Sequence, residues 1–274
     1  MSQPCPHCSS GSTVELKATT VLGYTCHRCR TSGRRFNDRT GTPFNFLEFP
    51  TDVVLLVVRW RLRYKLSLRD LAEMFLERGL DFTHEAVRAW EERFAPMLTK
   101  ALRQHRRGTV GGSWYVDETY VKVQGRWCYL YRAIDRDGNL VECRLSETRD
   151  MAAAKAVFQE ALEIAGEPPE RVTTDGHDSY PRAIREELGP SVTHRTNRYL
   201  NNWIEQDHRG IKHRYSPMRG FGSFESAGRF CRAYDELRSF YRRPGGRGAR
   251  MSLGARRQHH RDRTEELCQF LLAA

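Results

Sequence analysis

Residues 111–215 carry strand and helix patterns in a definite order, and this order constrains the fold more than any other feature of the chain. Three strand patterns come first, and short strand patterns then alternate with helix patterns up to a last long helix that ends near residue 214. The predicted order is βββ-α-β-α-β-α. Strands that alternate with helices form a sheet with parallel members and with helices packed on it. The sequence therefore predicts an α/β core over residues 111–242.

The first predicted strand carries an acidic residue among apolar neighbours. Residues 114–123 are rich in β-branched and aromatic residues, which favour a strand. Because side chains alternate along a strand, Asp117 shares a face with Tyr115 and Val121. A buried carboxylate must be protonated, paired or bound to a cation, since an unpaired buried charge is costly. Glu118 is predicted to point to the opposite face and not to serve as a ligand.

Two further acidic residues occupy positions at which sites form in α/β sheets. Asp175 follows a short predicted strand directly before Gly176, and Glu205 lies on the last helix. Sites in open sheets gather at the carboxyl ends of strands. If Asp117, Asp175 and Glu205 converge, hard divalent cations must offset their repulsion, and two such ions can catalyse in-line phosphoryl displacement. The alternative is that they are ordinary surface carboxylates, because the chain has 34 acidic residues.

Four cysteines near the N-terminus form two CxxC pairs. Cys5 and Cys8 are followed, after 17 residues, by Cys26 and Cys29. Two such pairs can close one tetrahedral site, and four sulfur ligands suit structural zinc. A segment this small cannot bury enough apolar surface to fold unaided, so a metal would supply stability. The sequence predicts a zinc ribbon over residues 1–45, with a redox dithiol or incidental pairing as the alternative.

Three short helix patterns follow within residues 50–100. Gly79 separates the second from the third, as in a helix-turn-helix DNA-binding domain. Exposed side chains on the third helix can meet base edges, and His84 and Arg88 are the candidate DNA contacts. A purely structural three-helix bundle is the alternative. The predicted helices span residues 51–64, 67–76 and 83–94.

The charge balance favours a polyanionic partner. The chain has a formal net charge of +11 and a pI near 9.5. Residues 111–194 are the exception, with 10 basic and 15 acidic residues and a net charge of −5. An acidic segment inside a basic protein is expected of a cation-binding carboxylate site in an enzyme that binds nucleic acid.

The motifs around the acidic residues sharpen this interpretation. They resemble the DDE transposases of bacterial insertion sequences, in particular the insertion sequence six family, over roughly residues 50–242. The resemblance implies a ribonuclease H-like core in which Asp117, Asp175 and Glu205 bind two Mg²⁺ (or Mn²⁺) ions, and Lys212 contacts DNA. The motifs that carry the resemblance are Val116–Val123, Gly125–Asp135, Thr174–Asp175 and Asn201–His208 with Lys212.

The same resemblance implies a transposase that binds the terminal inverted repeats of its own element. Its metal ions would activate water to cut at the element end, and then the freed 3′-hydroxyl to attack target DNA. Joining two ends requires at least two active sites, so a homodimer or larger assembly is expected. Two alternatives stay open: a DNA-binding regulator or inactive remnant, and a ribonuclease H-like nuclease without strand transfer.

Further basic residues are candidate DNA contacts. His208, three residues after Glu205, is placed to touch DNA or to support the site. The basic, aromatic segment 214–222 suits contact with the phosphate backbone, with Arg214 and Arg219 as its candidate residues.

The C-terminal segment 243–274 is predicted to be a basic tail. Pro244–Gly246 opens a flexible, arginine-rich stretch, and residues 265–272 form a possible short helix for a subunit contact. The N-terminus has no apolar signal segment, and the longest apolar run, residues 53–58, is too short to span a bilayer. Together with the scattered, unpaired use of the other cysteines, this predicts a cytoplasmic, nucleoid-associated protein with no membrane partner.

Overall fold

The computed structural model describes residues 3–196, 198–243 and 250–272, which form eight strands and eight α-helices. Contacts divide the chain into two units, one of residues 1–57 with 268–274 and one of residues 58–267. The strands are β1 (Thr13–Thr19), β2 (Thr25–Cys29), β3 (Arg35–Phe36), β4 (Ser113–Val123), β5 (Arg126–Asp135), β6 (Leu140–Ser146), β7 (Arg171–Thr174) and β8 (Thr193–Thr196). The helices are α1 (Thr51–Arg63), α2 (Leu68–Leu76), α3 (His84–His105), α4 (Met151–Ala165), α5 (Ser179–Glu187), α6 (Arg198–Tyr215), α7 (Phe224–Phe240) and α8 (Leu253–Leu272).

The larger sheet has the strand order β6-β5-β4-β7-β8. The first three strands in sequence pair antiparallel, and β7 and β8 join the sheet parallel to β4. Helices α4 and α5 provide the connections that parallel strands require. The α/β class and the predicted order βββ-α-β-α-β-α are confirmed, and three antiparallel strands followed by two parallel ones form a ribonuclease H-like core.

One face of this sheet is covered by a continuous apolar core. Trp114 and Val116 of β4 pack with Val157 and Phe158 of α4 and with Ile184 of α5, and all five are buried. The inward residues of α4 recur at helical spacing, so the helix presents one apolar face to the sheet. This packing fixes the position of β4, the strand that carries Asp117.

The helices before the sheet pack around aromatic side chains. Phe82 lies between Phe75 and Trp90, with ring centroids 5.5 and 4.8 Å away. Ser67 and Asp70 form a capping box at the start of α2. The third helix continues beyond the predicted end at residue 94 to His105. Pro96 lies inside this helix and has no N–H to donate to the carbonyl four residues earlier. Because Pro96 is exposed, water can bond to that carbonyl instead.

The N-terminal unit contains a small antiparallel sheet of β1, β2 and β3. Its buried apolar cluster consists of Cys5, Cys29 and Phe36. The loop that follows is organised by Arg39, whose guanidinium donates to the carbonyls of Phe44 and Leu47 over 2.6 and 2.9 Å. Three apolar residues are too few to stabilise the small sheet by themselves, although Phe44, Val54 and Val57 of the same unit are also buried.

The last helix is longer than predicted. α8 begins at Leu253 rather than near residue 265, and the predicted flexible start at 244–246 lies outside the described residues. The hydroxyl of Thr264 lies 3.0 Å from that of Tyr241, and the guanidinium of Arg59 donates to Thr264 over 2.8 Å. These contacts stabilise a polar helix that hydrophobic periodicity alone does not reveal. No described helix is long and apolar enough to cross a membrane.

Candidate active site

The acidic site forms where β4 extends past the end of its neighbour. β7 pairs with β4 only as far as Tyr115 and ends at Thr174. Beyond that point the described residues place no further strand on this side of β4, apart from a single bridge between Val123 and Phe221. The carboxylates of Asp117 and Asp175 converge at this gap, where their oxygens and those of Glu118 lie within 4.8 Å of one another. The structure therefore brings together two members of the predicted trio.

Asp117 is the buried member of this cluster. Burial, together with the charges of Glu118, Asp175 and Glu205, raises the pKa of Asp117 to about 7. Nδ1 of His208 lies 3.7 Å from Asp117 Oδ2, beyond hydrogen-bond distance. Burial also lowers the pKa of His208 well below its usual range, so the imidazole is neutral and supplies no countercharge. Among the described residues, the only ion-pair contact of Asp117 is therefore with a neutral imidazole.

The raised pKa of Asp117 predicts a pH dependence of stability that one substitution removes. Without divalent cations, the folded state holds a proton that the unfolded chain releases between the usual pKa of 3.8 and about 7. Stability from this group therefore falls as pH rises through that window, by up to about 1.4 kcal/mol per pH unit. We expect Asp117→Asn to lack this component when urea unfolding is compared at pH 5 and pH 8 without added Mg²⁺. Identical pH profiles for the two proteins would contradict the assigned pKa.

Glu118 points to the opposite face of the strand from Asp117, as predicted, but its carboxylate lies next to the site. The pleat does direct it towards α4 and α5, where its carboxylate pairs with Arg149 and accepts a hydrogen bond from the hydroxyl of Tyr180. Its long side chain nevertheless reaches the gap beside β4, so its oxygen joins those of Asp117 and Asp175. Strand alternation fixed the direction of the Cα–Cβ bond but not the reach of the side chain.

Arg149 is a second residue that sequence reasoning missed. Its guanidinium contacts Glu118 and donates to Asp175 Oδ2 over 2.9 Å. It lies just before α4, and nothing in its sequence neighbourhood separates it from the other arginines of this basic chain. Arg149 thus provides the positive charge at the outer edge of the carboxylate cluster.

Glu205 borders the same site from the other side. Together with Asp117, Glu118 and Lys212 it lines a cavity of about 540 Å³, and its charge contributes to the raised pKa of Asp117. Glu205 is exposed and is not a member of the close carboxylate cluster. The structure therefore places the third predicted acid on the opposite wall of the cavity rather than in contact with the other two.

A buried charge network holds α6, and with it Glu205, against the sheet. Arg132 of β5 is 1% exposed and donates to Asp207 of α6 and to Asp235 of α7 over 2.8 and 2.7 Å. Arg238 donates to both carboxylate oxygens of Asp207 over 2.6 and 2.7 Å. Burial alone would raise the pKa of Asp207, but the two guanidinium groups hold it well below its usual range. Asp207 lies between Glu205 and Lys212 on α6, so the network orients the part of the helix that carries both residues.

The predicted DNA contacts fall into two groups. Arg88, Lys212 and Arg219 are exposed and His84 is partly exposed, so these four are accessible. One prediction does not fit the structure. Arg214 is buried, with its guanidinium bonded to the carbonyl of Arg61 and 4.9 Å from the centre of the Phe230 ring. His208 is buried beside Asp117, which agrees with the supporting role predicted for it rather than with contact to DNA.

Three of the four predicted zinc ligands meet in the N-terminal unit. The sulfur atoms of Cys5, Cys8 and Cys29 lie within 4.8 Å of one another, whereas Cys26 is not a member of this group. The backbone N–H of Ser32 donates to Cys29 Sγ over 3.3 Å and lowers the pKa of the Cys29 thiol to about 6. The thiolate form that metals require is therefore accessible near neutral pH.

Comparisons with known proteins identify a family model and individual proteins that are similar to this chain. Residues 111–243 match a family model described as a DDE domain. The transposase for the insertion sequence-like element IS431mec of Staphylococcus aureus is 38% identical over 175 residues, which cover 62% of this chain and 76% of the relative. The transposase for insertion sequence element IS257 in transposon Tn4003, from the same species, has the same identity and coverage. Among solved structures, the HTLV-2 integrase catalytic core domain in complex with magnesium matches with a TM-score of 0.32 and 18% identity, over 39% of this chain and 72% of that one.

The matched region contains the whole acidic site. Asp117, Asp175 and Glu205 all lie within residues 111–243, and the α/β core with its carboxylates is that of a polynucleotidyl transferase. The chain belongs to the DDE transposases of bacterial insertion sequences, in the insertion sequence six family.

Proposed function

We propose that this DDE transposase binds the terminal inverted repeats of its insertion sequence and catalyses Mg²⁺-dependent strand cleavage and strand transfer. The observation that carries the proposal is the convergence of Asp117 and Asp175 at the end of β7, with Glu205 across the same cavity. Asp117 is common to both groups, because it lies within 4.8 Å of Asp175 and lines the cavity with Glu205. Carboxylates placed in this way repel one another, and a site for hard cations would offset that repulsion.

The residues present fit a divalent metal. Asp117 is a buried carboxylate with two other carboxylates within 4.8 Å, and oxygen ligands are those that Mg²⁺ and Mn²⁺ prefer. Asp117, Asp175 and Glu205 would hold two such ions, with Glu118 as a further oxygen donor. When bound, the ions activate the attacking oxygen and stabilise the leaving one in an in-line displacement.

The chain's own side chains position the DNA at this site. Lys212 lies two turns after Glu205 on α6, and both line the cavity, so its ammonium group is placed to contact a phosphate next to the carboxylates. Arg149, on the opposite side, neutralises Glu118 and Asp175 before a metal binds. His208 packs against Asp117 and limits its movement.

The helix-turn-helix supplies the proposed recognition of the repeats. His84 and Arg88 lie in the first turns of α3, where recognition helices meet base edges, and Arg88 is held by an ion pair of 2.9 Å with Glu85. Arg219 is exposed and carries the proposed contact with the phosphate backbone. Because two element ends must be joined, we further propose that a homodimer or larger assembly acts.

We expect Arg88→Ala to weaken binding to the terminal repeat more than binding to unrelated DNA. A base-reading arginine contributes about 1–3 kcal/mol of discrimination against other sequences. Competition binding with repeat and scrambled duplexes measures this ratio. Lys100→Ala, at an exposed position farther along α3, is the matched control and should leave the ratio unchanged. An equal loss for both duplexes would show that Arg88 contacts only phosphates.

A zinc ion in the N-terminal unit is also part of the proposal. Three thiols within 4.8 Å in a unit with a very small apolar cluster fit a structural zinc site. Purified protein should contain about one zinc per chain. Absence of zinc would refute the zinc ribbon but would leave the transposase assignment unchanged.

An assay that measures both DNA binding and DNA joining distinguishes this proposal from the alternative functions. Labelled terminal-repeat DNA is incubated with target DNA and Mg²⁺, and bound, cleaved and joined species are resolved. Joined product supports the transposase. Cleavage without joining indicates a nuclease, and binding without either product indicates a DNA-binding regulator or inactive remnant.

A further inference from the structure

Two turns in the N-terminal unit have the same backbone hydrogen bonds. In the first, the N–H of Cys5 donates to Ser10 O over 2.9 Å, and the N–H of Ser9 donates to Cys5 O over 2.8 Å. In the second, the N–H of Cys29 donates to Arg34 O over 3.0 Å, and that of Gly33 donates to Cys29 O over 3.0 Å. The fifth residue of each turn has a positive φ, 58° at Ser9 and 71° at Gly33. The second turn is therefore a structural copy of the first.

Because the two turns match, each side chain of the first turn has a structural equivalent in the second. Cys29 stands where Cys5 stands, and Ser32 stands where Cys8 stands. The contacts across the two turns repeat this equivalence, because Cys8 Sγ lies 3.6 Å from Cys29 Sγ and Cys5 Sγ lies 3.6 Å from Ser32 Oγ. Sulfur ligands of a tetrahedral zinc ion with bonds of about 2.3 Å are about 3.8 Å apart. The four atoms thus have the spacing of one metal site.

Cys26 does not share this arrangement. It lies on β2, a strand that runs from Thr25 to Cys29, and residues three apart on a strand point to opposite faces. Its sulfur lies 4.0 Å from the carbonyl oxygen of Tyr24 and outside the group of three close thiols. The turn that completes a zinc knuckle follows Cys29 rather than preceding it.

We propose that the zinc ion is held by Cys5, Cys8 and Cys29 with the hydroxyl oxygen of Ser32 in the fourth position, and that Cys26 is not a ligand. This inference rests on the proposed zinc site and specifies its ligands. A hydroxyl oxygen is a harder and weaker donor to zinc than a thiolate. The site accordingly binds zinc less tightly than a four-cysteine ribbon, and Ser32→Cys completes that ribbon.

Zinc affinity of the full-length protein distinguishes the two ligand sets. Competition with a coloured chelator is measured for the wild type, Cys26→Ser, Cys29→Ser and Ser32→Cys. We expect Cys26→Ser to keep its zinc with unchanged affinity, and Cys29→Ser to lose more than the roughly 100-fold that loss of a supporting residue can cost. Ser32→Cys should bind at least about 10-fold more tightly. Loss of zinc by Cys26→Ser, or no gain for Ser32→Cys, would overturn the assignment.

Cobalt absorption gives a readout that does not depend on folding yield. In the Co²⁺-loaded protein, the thiolate-to-metal band grows with the number of thiolates, so Ser32→Cys should raise it by about one third per bound cobalt. Cys26→Ser should leave the band unchanged. A decrease in Cys26→Ser would show that Cys26 binds the metal, whereas a wild-type protein that takes up neither metal would refute the zinc site itself.

Discussion

We expect Asp117→Asn to abolish the proposed Mg²⁺-dependent strand transfer and to retain the proposed binding to the terminal repeat. The amide is nearly isosteric with the carboxylate but cannot supply the negative oxygen that a hard cation requires. Because the ions act directly on the reacting oxygens, we expect strand transfer to fall by at least about 1,000-fold. Asp175→Asn should show the same loss, since its carboxylate lies in the same cluster. Product formation in a joining assay and a mobility shift on repeat DNA measure the two activities separately.

Folding controls keep this result interpretable. Asp117→Asn also removes a carboxylate whose buried charge is disfavoured, so the variant should be no less stable than the wild type near pH 8. A loss of joining together with a loss of stability would point to misfolding. Joining at the wild-type rate by either variant would contradict the metal-binding role of the cluster.

We expect Arg132→Met to destabilise the larger unit by about 3–5 kcal/mol, as removal of one partner from a buried ion pair does. Arg132 is 1% exposed and bonds to both Asp207 and Asp235, which are also buried. Without the guanidinium, Asp235 loses both of the bonds that its carboxylate makes to Arg132, and Asp207 retains only its contacts with Arg238 and Arg242. Chemical denaturation followed by far-UV circular dichroism measures the change.

Two further variants test the cause. Adding Asp235→Asn to Arg132→Met should recover a large part of the loss, because a neutral amide needs no countercharge. Arg182→Met removes an exposed arginine that pairs with Glu186 four residues later, and should change stability by less than about 1 kcal/mol. If Arg132→Met changed the stability as little as Arg182→Met, the network would have no role in holding α6.

The sequence predicted the core because its patterns are local. Strand alternation and helical spacing gave the order of elements in residues 111–215, and the position of Asp117 followed from the first strand. Element ends were harder to predict where tertiary contacts decide them. The third helix continues past residue 94, where Leu98 and Leu102 extend its buried face. α8 begins at Leu253 and is held by distant contacts of Thr264 with Arg59 and Tyr241.

The composition of the site was predicted less completely than the core. Glu118 and Arg149 enter it because long side chains reach across the gap beside β4, and a pattern of alternating faces does not encode reach. Arg214 is buried although it lies in a basic segment, because Phe230 and the carbonyl of Arg61 come from distant parts of the chain. Charge in a sequence segment therefore does not establish exposure.

The CxxC spacing and the proposed zinc ligands differ at one residue. The CxxC pattern groups Cys26 with Cys29, but the first knuckle has a residue with positive φ directly after its second cysteine. In the second segment the residue with positive φ is Gly33. It directly follows Ser32, so the backbone makes Cys29 and Ser32 the equivalents of the two cysteines in the first knuckle. Gly33 is the sequence feature consistent with this arrangement, because glycine readily adopts the positive φ that Ser9 has in the first turn.

The most direct test of the central claim is strand transfer by Glu205→Gln. Glu205 is exposed and lies across the cavity from Asp117, so only a shared metal site makes it essential. Glu167→Gln, also at an exposed position, is the matched control. We predict that Glu205→Gln yields no joined product in Mg²⁺ while binding repeat DNA normally, and that Glu167→Gln joins like the wild type. Equal joining by the two variants would contradict the assignment of Asp117, Asp175 and Glu205 as one metal-binding triad.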